Sequence, residues 1–331
     1  MRLSRSPLKH NLVVSTEEIV VGDNRGSVYY YVVEWPDTWE IARDMWPGTV
    51  YLIGKMCLHN QQICGFAWSG DGKLLASGSD DNFCCTVDVD KFLADIKRHN
   101  KVGDLADDEQ DHDAERSSQF RAHKSPNVSM RRHRPVNAQR RSFEGIFTRL
   151  PGTEQHRWLH EAAVKAIAFC PWRKDLVATG GGTHDHCIHF YRTSSGAALA
   201  SISVSAQVTS LIWSTTRREI AVTFGYAEPE HPIRIAIFTW PGCHQVAAIP
   251  WERGFRALHA VSCPSPIEIA PSFAAQRQSR DNGCIVVACS DRTLKFYELW
   301  PTGPRIAAGR TGPRHIREIS EGIQGGGEVI R

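Results

Sequence analysis

The side chains most able to do chemistry are crowded into one short stretch, LVATGGGTHDHCIHFY, at positions 176–191. Three glycines precede four residues of the types that bind zinc, which are His184, His186, Cys187 and His189. A run of glycines can also cradle phosphate groups. The remaining possibility is a tight turn between two strands, in which these residues have no chemical role.

Neither chemical interpretation fits the spacing. Zinc needs four ligands that converge. Side chains on a strand alternate between its two faces, so Cys187 and His189 would share one face while His184 and His186 lie in or near the turn, and we do not expect all four to converge. A phosphate-binding GxxxxGK[ST] loop enters a helix, but TGGGT enters a strand-like run. The sequence also has no GxSxG nucleophile motif and no HExxH metalloprotease motif. We therefore predict no metal, no cofactor and no enzymatic activity.

The composition excludes several other classes of protein. The 331 residues are 41% hydrophobic and 23% charged, which is ordinary for a globular protein with a sizeable core. A net charge of +3 argues against a general nucleic-acid binder, and no apolar run approaches the ~18 residues of a membrane span. The ten cysteines form no CxxC pair, which favours free thiols in the nucleus and cytoplasm.

Two segments of the chain, residues 58–89 and 159–192, align with each other. In each, a histidine (His59 or His160) precedes an apolar residue by four positions and an aromatic residue by nine, and two strand-like runs joined by a polar turn follow. Four short strands in a repeat of about 40–45 residues are typical of a WD40 β-propeller blade. We predict an all-β fold, a WD40 β-propeller. Its five candidate blades are 11–35, 56–90, 157–192, 196–241 and 243–300.

The turns of such repeats are held by polar side chains. In a WD40 blade the turn aspartate accepts a hydrogen bond from the histidine of the same blade, so we assign these residues a structural role. They are His59, Asp81, His160, Asp185 and Asp291. We expect residues 180–182, all glycine, to let the backbone turn, and Cys187 and His189 to be packing or surface residues on the following strand.

A charged segment separates the predicted blades at 11–92 from those at 156–300. Residues 93–155 are acidic at first (104–115) and then basic (121–141), which is typical of a disordered insertion. The segment is either a tolerated loop or a regulatory arm with a phosphorylation site at Ser125 and an arginine patch. The patch comprises Arg131, Arg132, Arg134, Arg140 and Arg141. Residues 301–331, rich in Gly, Arg and Pro, are predicted to be a flexible tail.

The order of motifs within residues 160–226 is specific. KAIAFCPW, LVATGGGT, QVTSLIWS and FGY in succession resemble the fizzy and fizzy-related co-activators of the anaphase-promoting complex, and generic WD40 repeats do not carry them. ICGFAWSGDGKLLASGSDDN (63–82) and SDRTLKFYELW (290–300) resemble the neighbouring blades of these co-activators. The chain also ends in Ile330-Arg331, as they do. GSVYYYVVEWPD is most similar to the meiosis-specific fungal branch.

The resemblance implies an adaptor of a ubiquitin ligase. In that family the propeller captures degron peptides of cell-cycle proteins such as cyclins and securin, and a terminal Ile-Arg docks on a tetratricopeptide subunit of the ligase. Neither nucleic acid nor a membrane is an expected partner. The residues that match the family's pocket for the Lys-Glu-Asn degron are Asn82, Thr183, Gln207 and Arg256, and Asp80 stands where the family usually has asparagine.

The sequence also departs from the family. The co-activators have seven blades, and the five here match the third to the seventh, without the N-terminal box that contacts the catalytic module of the ligase. Half of the groove for the destruction box should be missing, and closure of the ring is in question, which points to a truncated gene model. A WD40 scaffold or truncated decoy, which binds partners without activating ubiquitination, therefore stays open as the alternative.

Overall fold

A computed structural model describes residues 14–36, 48–99, 146–228, 230–252, 254–263, 283–300 and 317–319. These residues form five four-stranded sheets, so the prediction of an all-β fold built from WD40 blades is confirmed. No helix within the described ranges is long and apolar enough to cross a bilayer.

The strands of the first half of the chain are rich in β-branched and aromatic residues, as sheets favour. They are β1 (Val14–Gly22), β2 (Ser27–Pro36), β3 (Thr49–Cys57), β4 (Ile63–Trp68), β5 (Leu74–Ser79) and β6 (Phe83–Asp88). A helix, α1, follows at 89–99. Two short strands lie beyond residues 100–145, which are outside the described part. They are β7 (Thr148–Arg149) and β8 (His156–Leu159).

The second half is a regular succession of strands. The first six are β9 (Val164–Phe169), β10 (Leu176–Gly181), β11 (Cys187–Arg192), β12 (Ala198–Ser203), β13 (Ala206–Trp213) and β14 (Glu219–Ala227). The last six are β15 (Ile233–Thr239), β16 (Gln245–Pro250), β17 (Ala257–Cys263), β18 (Cys284–Cys289), β19 (Leu294–Glu298) and β20 (Arg317–Ile319).

The chain divides into two compact units. The small unit comprises residues 1–23, 27–58 and 90–153, and it contains the first sheet, in the order β1-β2-β3-β7. Alternate residues of β2, including Val28 and Tyr30, are buried on one face of this sheet. Phe92 of α1 packs there, with its ring centroid 5.8 Å from that of Tyr30. The helix therefore covers one face of the first sheet.

The large unit comprises residues 24–26, 59–89 and 154–331 and contains the other four sheets, each with its strands in chain order. The first strands of these sheets, β4, β9, β13 and β17, lie next to one another in succession. An apolar core fills each space between neighbouring sheets, with Trp158 and Val177 in the first, Phe190 and Trp213 in the second, and Trp300 in the third. This stacking is the packing of consecutive propeller blades.

The sheets do not coincide with the predicted repeats, because each is completed by a strand assigned to the next repeat or to a linking segment. Strand β12 lies in the predicted blade 196–241 but pairs with β11, and β16 lies in 243–300 but pairs with β15. Periodicity locates an edge strand but does not say which neighbour it pairs with. In addition, β7 and most of α1 lie within 93–155, and β20 lies within 301–331.

Candidate functional site

The stretch 176–191 consists of β10, a loop at 182–186 and β11. His184 is exposed in the loop, and His186 has a positive φ of 53°. The structure does not bring the four zinc-binding residue types together. Instead, one group of three potential ligands is found within the described ranges, formed by His160, Asp185 and His189, whose nearest side-chain nitrogen and oxygen atoms lie within 4.8 Å of one another.

This group is a hydrogen-bond network. Nδ1 of His160 lies 2.9 Å from Oδ2 of Asp185, and its Nε2 lies 3.1 Å from the hydroxyl of Thr179. Burial lowers the pKa of His160, so the ring is neutral at pH 7. Because a carboxylate only accepts, Nδ1–H is the donor and Nε2 accepts from Thr179. Nδ1 therefore carries a proton and has no lone pair for a metal.

His189 is a third member that the sequence analysis treated only as a packing or surface residue. Its Nε2 lies 3.1 Å from Oδ1 of Asp185, so both carboxylate oxygens of the aspartate have a histidine partner. Burial alone would raise the pKa of Asp185, but the hydrogen bonds from His160 and His189 outweigh it and hold the pKa well below its ordinary value. The four-residue spacing across the turn was the available signal, since it returns His189 to the side of Asp185.

The predicted histidine–aspartate bond is also present in the preceding sheet. Nδ1 of His59 lies 3.0 Å from Oδ1 of Asp81, and its Nε2 lies 2.8 Å from the hydroxyl of Ser77. Burial lowers the pKa of His59 as it does that of His160. Asp291 closes the corresponding turn of the last sheet by accepting from the backbone N–H of Thr293 at 2.9 Å. These residues hold turns together.

The glycines of TGGGT have a different role from the predicted one. Gly180 and Gly181 end β10, and neither has a positive φ. A Cβ at position 180 would lie 2.2 Å from Cγ1 of Val208 in the next sheet, and one at 181 would lie 1.6 Å from Oδ2 of Asp185. The expectation of a turn is therefore wrong for Gly180 and Gly181, whose missing side chains let a neighbouring sheet and the turn aspartate approach, whereas Gly182 does lie in the loop.

All five residues predicted to bind peptide lie at one end of the four sheets of the large unit. Asp80 and Asn82 follow β5, Thr183 follows β10, Gln207 is near the start of β13, and Arg256 immediately precedes β17. In each of these antiparallel sheets the first strand starts where the second strand ends, so these residues lie at the same end of the sheet. All five side chains are partly exposed, as a binding surface requires.

Contacts between sheets keep these ends together. The backbone N–H of His160 donates to the carbonyl of Asn82 at 2.8 Å, one step beyond the β6–β8 ladder of the sheet β4-β5-β6-β8, and so fixes the segment that leads into β9 of the next sheet. The guanidinium of Arg256 lies over the ring of Tyr226, 4.1 Å from its centroid, and joins the fifth sheet to the fourth. Tyr226 ends the FGY motif and is half-exposed, and the sequence analysis did not single it out.

Two further neighbours shape the same end of the large unit. A Cβ on Gly225 would lie 2.4 Å from Oε1 of Gln207, so the absence of a side chain there makes room for the glutamine. The thiol of Cys64 donates to Oδ1 of Asp80 at 3.0 Å. Burial, followed by this hydrogen bond to Asp80, raises the pKa of Cys64 to about 12. The site can thus offer amide, hydroxyl, carboxylate and guanidinium groups. The two residues predicted to dock on the ligase, Ile330 and Arg331, lie outside the described residues.

Comparison with known proteins adds to this geometry. Residues 51–88 match the family model described as WD domain, G-beta repeat. Over 167 residues the chain is 43% identical to the meiosis-specific APC/C activator protein AMA1 of Saccharomyces cerevisiae. This alignment covers 50% of this chain and 24% of AMA1. The chain is homologous to APC/C activators. The predicted resemblance to these co-activators, with a meiosis-specific fungal protein among them, is confirmed.

A longer alignment agrees with this relationship, and a solved structure shares the fold. The chain is 28% identical to meiotic fizzy-related protein 2 of Schizosaccharomyces pombe over 288 residues, 85% of this chain and 42% of that protein. A chain in the crystal structure of the mitotic checkpoint complex has the same fold, with a TM-score of 0.52, 24% identity, and coverage of 86% of this chain and 59% of that one. The chain spans 24% of the length of AMA1 and 42% of that of meiotic fizzy-related protein 2, less than half of either.

Proposed function

We propose that the chain is a substrate-recognition co-activator of the anaphase-promoting complex ubiquitin ligase. It binds degron peptides of cell-cycle proteins, such as cyclins and securin, at the end of the large unit that carries Asp80, Asn82, Thr183, Gln207 and Arg256. It docks on a tetratricopeptide subunit of the ligase through Ile330-Arg331. The homology to named APC/C activators is the observation that carries this proposal.

The chemistry of the site supports peptide binding. Gln207, Asn82 and Thr183 can exchange hydrogen bonds with a peptide backbone and with the asparagine of a Lys-Glu-Asn degron. The guanidinium of Arg256 can pair with the degron glutamate through two parallel N–H···O bonds. Rigid strands end directly at these residues, so the backbone that carries them is fixed before a peptide arrives.

An adaptor needs no chemistry of its own, and we infer none here. The titratable group His160, Asp185 and His189 is occupied in holding a turn, and the ring proton on Nδ1 of His160 is directed at the carboxylate. All ten cysteines are free thiols, which supports location in the nucleus and cytoplasm, where a reducing environment prevails.

Peptide affinity tests the site. A fluorescent Lys-Glu-Asn peptide should bind the purified chain, and Arg256→Ala should weaken binding about tenfold or more, since a charge-assisted pair is lost. Arg218→Ala is the matched control, because Arg218 is an exposed arginine at the opposite end of β14. Unchanged affinity in Arg256→Ala would remove Arg256 from the site.

A ubiquitination assay separates the co-activator from the scaffold or decoy. Added to purified ligase with a degron-bearing substrate, a co-activator stimulates ubiquitin transfer, whereas a decoy inhibits transfer by the resident co-activator. Deletion of Ile330-Arg331 should abolish co-purification with the ligase. Co-purification that survives the deletion would contradict the docking role of the tail.

A further inference from the structure

Arg256 is held more firmly than an ordinary loop arginine. Its backbone N–H donates to Oγ of Ser290 at 3.0 Å, and the backbone N–H of Ser290 donates to the carbonyl of Arg256 at 3.0 Å. The carbonyl of the preceding residue, Phe255, accepts from the buried guanidinium of Arg234 at 2.6 Å. The backbone at position 256 is therefore fixed from both sides, and the remaining freedom is in the side chain.

The ring of Tyr226 restricts that side chain. The guanidinium carbon of Arg256 is 4.1 Å from the ring centroid, a stacking distance, and Tyr226 is 53% exposed at the end of β14. Within the described ranges Arg256 forms no ion pair with a carboxylate. A stacked guanidinium uses its face for the ring and keeps the N–H groups at its edge available for a planar acceptor.

The acidic residues nearby do not compete for these donors. Glu230 pairs with Arg234 at 2.7 Å. Asp291, which follows Ser290, accepts from the backbone N–H of Thr293 at 2.9 Å and from its hydroxyl at 2.6 Å. The ring of Tyr226 thus orients the guanidinium of Arg256 without neutralising its charge. An aspartate or glutamate in place of Tyr226 would form an ion pair with Arg256 and neutralise it.

We propose that Tyr226 is a positioning residue for Arg256, and that the stacked pair forms the recognition element for an acidic side chain of an extended peptide. The tyrosine limits the rotamers of Arg256 before binding and so reduces the entropy lost when the peptide carboxylate is bound. The inference rests on the proposed function, because it assigns a role within the same peptide-binding site.

Side-chain NMR tests the stacking without any peptide. The δ-methylene protons of Arg256 should show an upfield ring-current shift in the wild-type chain and in Tyr226→Phe, and Tyr226→Leu should lose it. Tyr51→Leu, an exposed tyrosine in the small unit, is the matched control and should leave the shift unchanged. An Arg256 signal that does not respond to Tyr226→Leu would overturn the inference whatever the peptide does.

A double-mutant cycle tests the functional consequence. Tyr226→Leu should lower the affinity for the Lys-Glu-Asn peptide about two- to fivefold. Tyr226→Phe should keep the affinity of the wild type, since tyrosine and phenylalanine rings both stack on a guanidinium. In an Arg256→Ala background, or with a Lys-Gln-Asn peptide, Tyr226→Leu should have no further effect.

The outcomes separate the two proposals. If the wild-type chain binds the peptide and Tyr226→Leu does not change its affinity, only the positioning role is overturned. The same holds if the losses of affinity in Tyr226→Leu and Arg256→Ala simply add in the double variant. A wild-type chain that shows the ring-current shift but binds no peptide overturns the peptide site itself, and with it the recognition role of the pair.

Discussion

The guanidinium of Arg234 donates from Nε to the carbonyl of Phe255 at 2.6 Å, and this bond joins β15 to the loop that precedes β17. Arg234 is 2% exposed, and its other donors reach the carbonyls of His231 and Ile233 and the carboxylate of Glu230. One buried side chain therefore satisfies three backbone carbonyls at the end of the large unit that carries Arg256.

Replacement of Arg234 by methionine should lower the free energy of unfolding by about 2–4 kcal/mol, because buried carbonyls lose their donor. The loop at 254–256 should also exchange its amide hydrogens faster. Urea unfolding followed by hydrogen-exchange mass spectrometry measures both effects. Arg218→Met is the control, since Arg218 is exposed and stacks only loosely, 6.0 Å from the ring of Trp172. Equal stability of the two variants would contradict the anchoring role.

Stability should fall as the pH is lowered below neutrality, because two histidines are buried in neutral form. Burial lowers the pKa of His59 and of His160 from the ordinary 6.5, so the unfolded chain takes up protons that the folded chain refuses. The stabilisation is complete above pH 6.5 and is lost as the pH falls through the window between 6.5 and the lowered folded values. Each histidine contributes at most ~1.4 kcal/mol per pH unit there.

Urea unfolding between pH 7.5 and 5.5 measures this dependence. His160→Gln should flatten the profile while lowering stability at pH 7.5, because the turn loses its donor to Asp185. His244→Gln, at an exposed position, should leave the profile of the wild type unchanged. Below about pH 4, protonation of Asp185, whose pKa is depressed, should add a further loss. A flat wild-type profile would mean that the histidines are not buried as neutral groups.

The glycines of β10 should tolerate no side chain, although their backbone conformation would. Gly180→Ala would force a methyl group against Val208, and such overpacking costs about 1–3 kcal/mol. Gly181→Ala should cost more, since its methyl group would displace Asp185 from His160. Gly70→Ala, where an added Cβ meets no atom within 4 Å, is the matched control, and thermal unfolding of the three variants gives the comparison.

These glycines also show what the sequence could and could not predict. The repeat of histidine, apolar run and polar turn located the strands and the bond between His160 and Asp185, because these are local features with a fixed spacing. The role of Gly180 depends on Val208 of the next sheet, and no local pattern reports a contact between sheets. The same holds for Tyr226 and Arg256, which come from two sheets.

Two other features lay beyond the reach of the sequence for topological reasons. The edge strand β12 has the alternation of any short strand, and only the three-dimensional structure shows that it pairs with β11. Arg234 reads in the sequence as a charged residue in an otherwise apolar run, IRIAIF. Its burial is explained only by the carbonyls that converge on it.

The last prediction concerns Asp80, the residue that stands where asparagine was expected. Its carboxylate accepts from the thiol of Cys64, and burial together with this contact raises the pKa of Cys64 to about 12. Asp80→Asn removes the negative charge and should lower that pKa, because the thiolate is no longer repelled. Alkylation of Cys64 by iodoacetamide at pH 8.5 should then be faster, since only the thiolate reacts.

Peptide mapping by mass spectrometry resolves Cys64 from the other nine cysteines. Cys243 serves as the internal control, because its pKa is raised by burial alone and no aspartate contributes. Its alkylation rate should be the same in the wild type and in Asp80→Asn. If the rate at Cys64 does not change either, the thiol does not donate to Asp80, and the carboxylate at this end of the second sheet is free to accept from a peptide. A selective increase at Cys64 means instead that a peptide donor must compete with the thiol for Asp80.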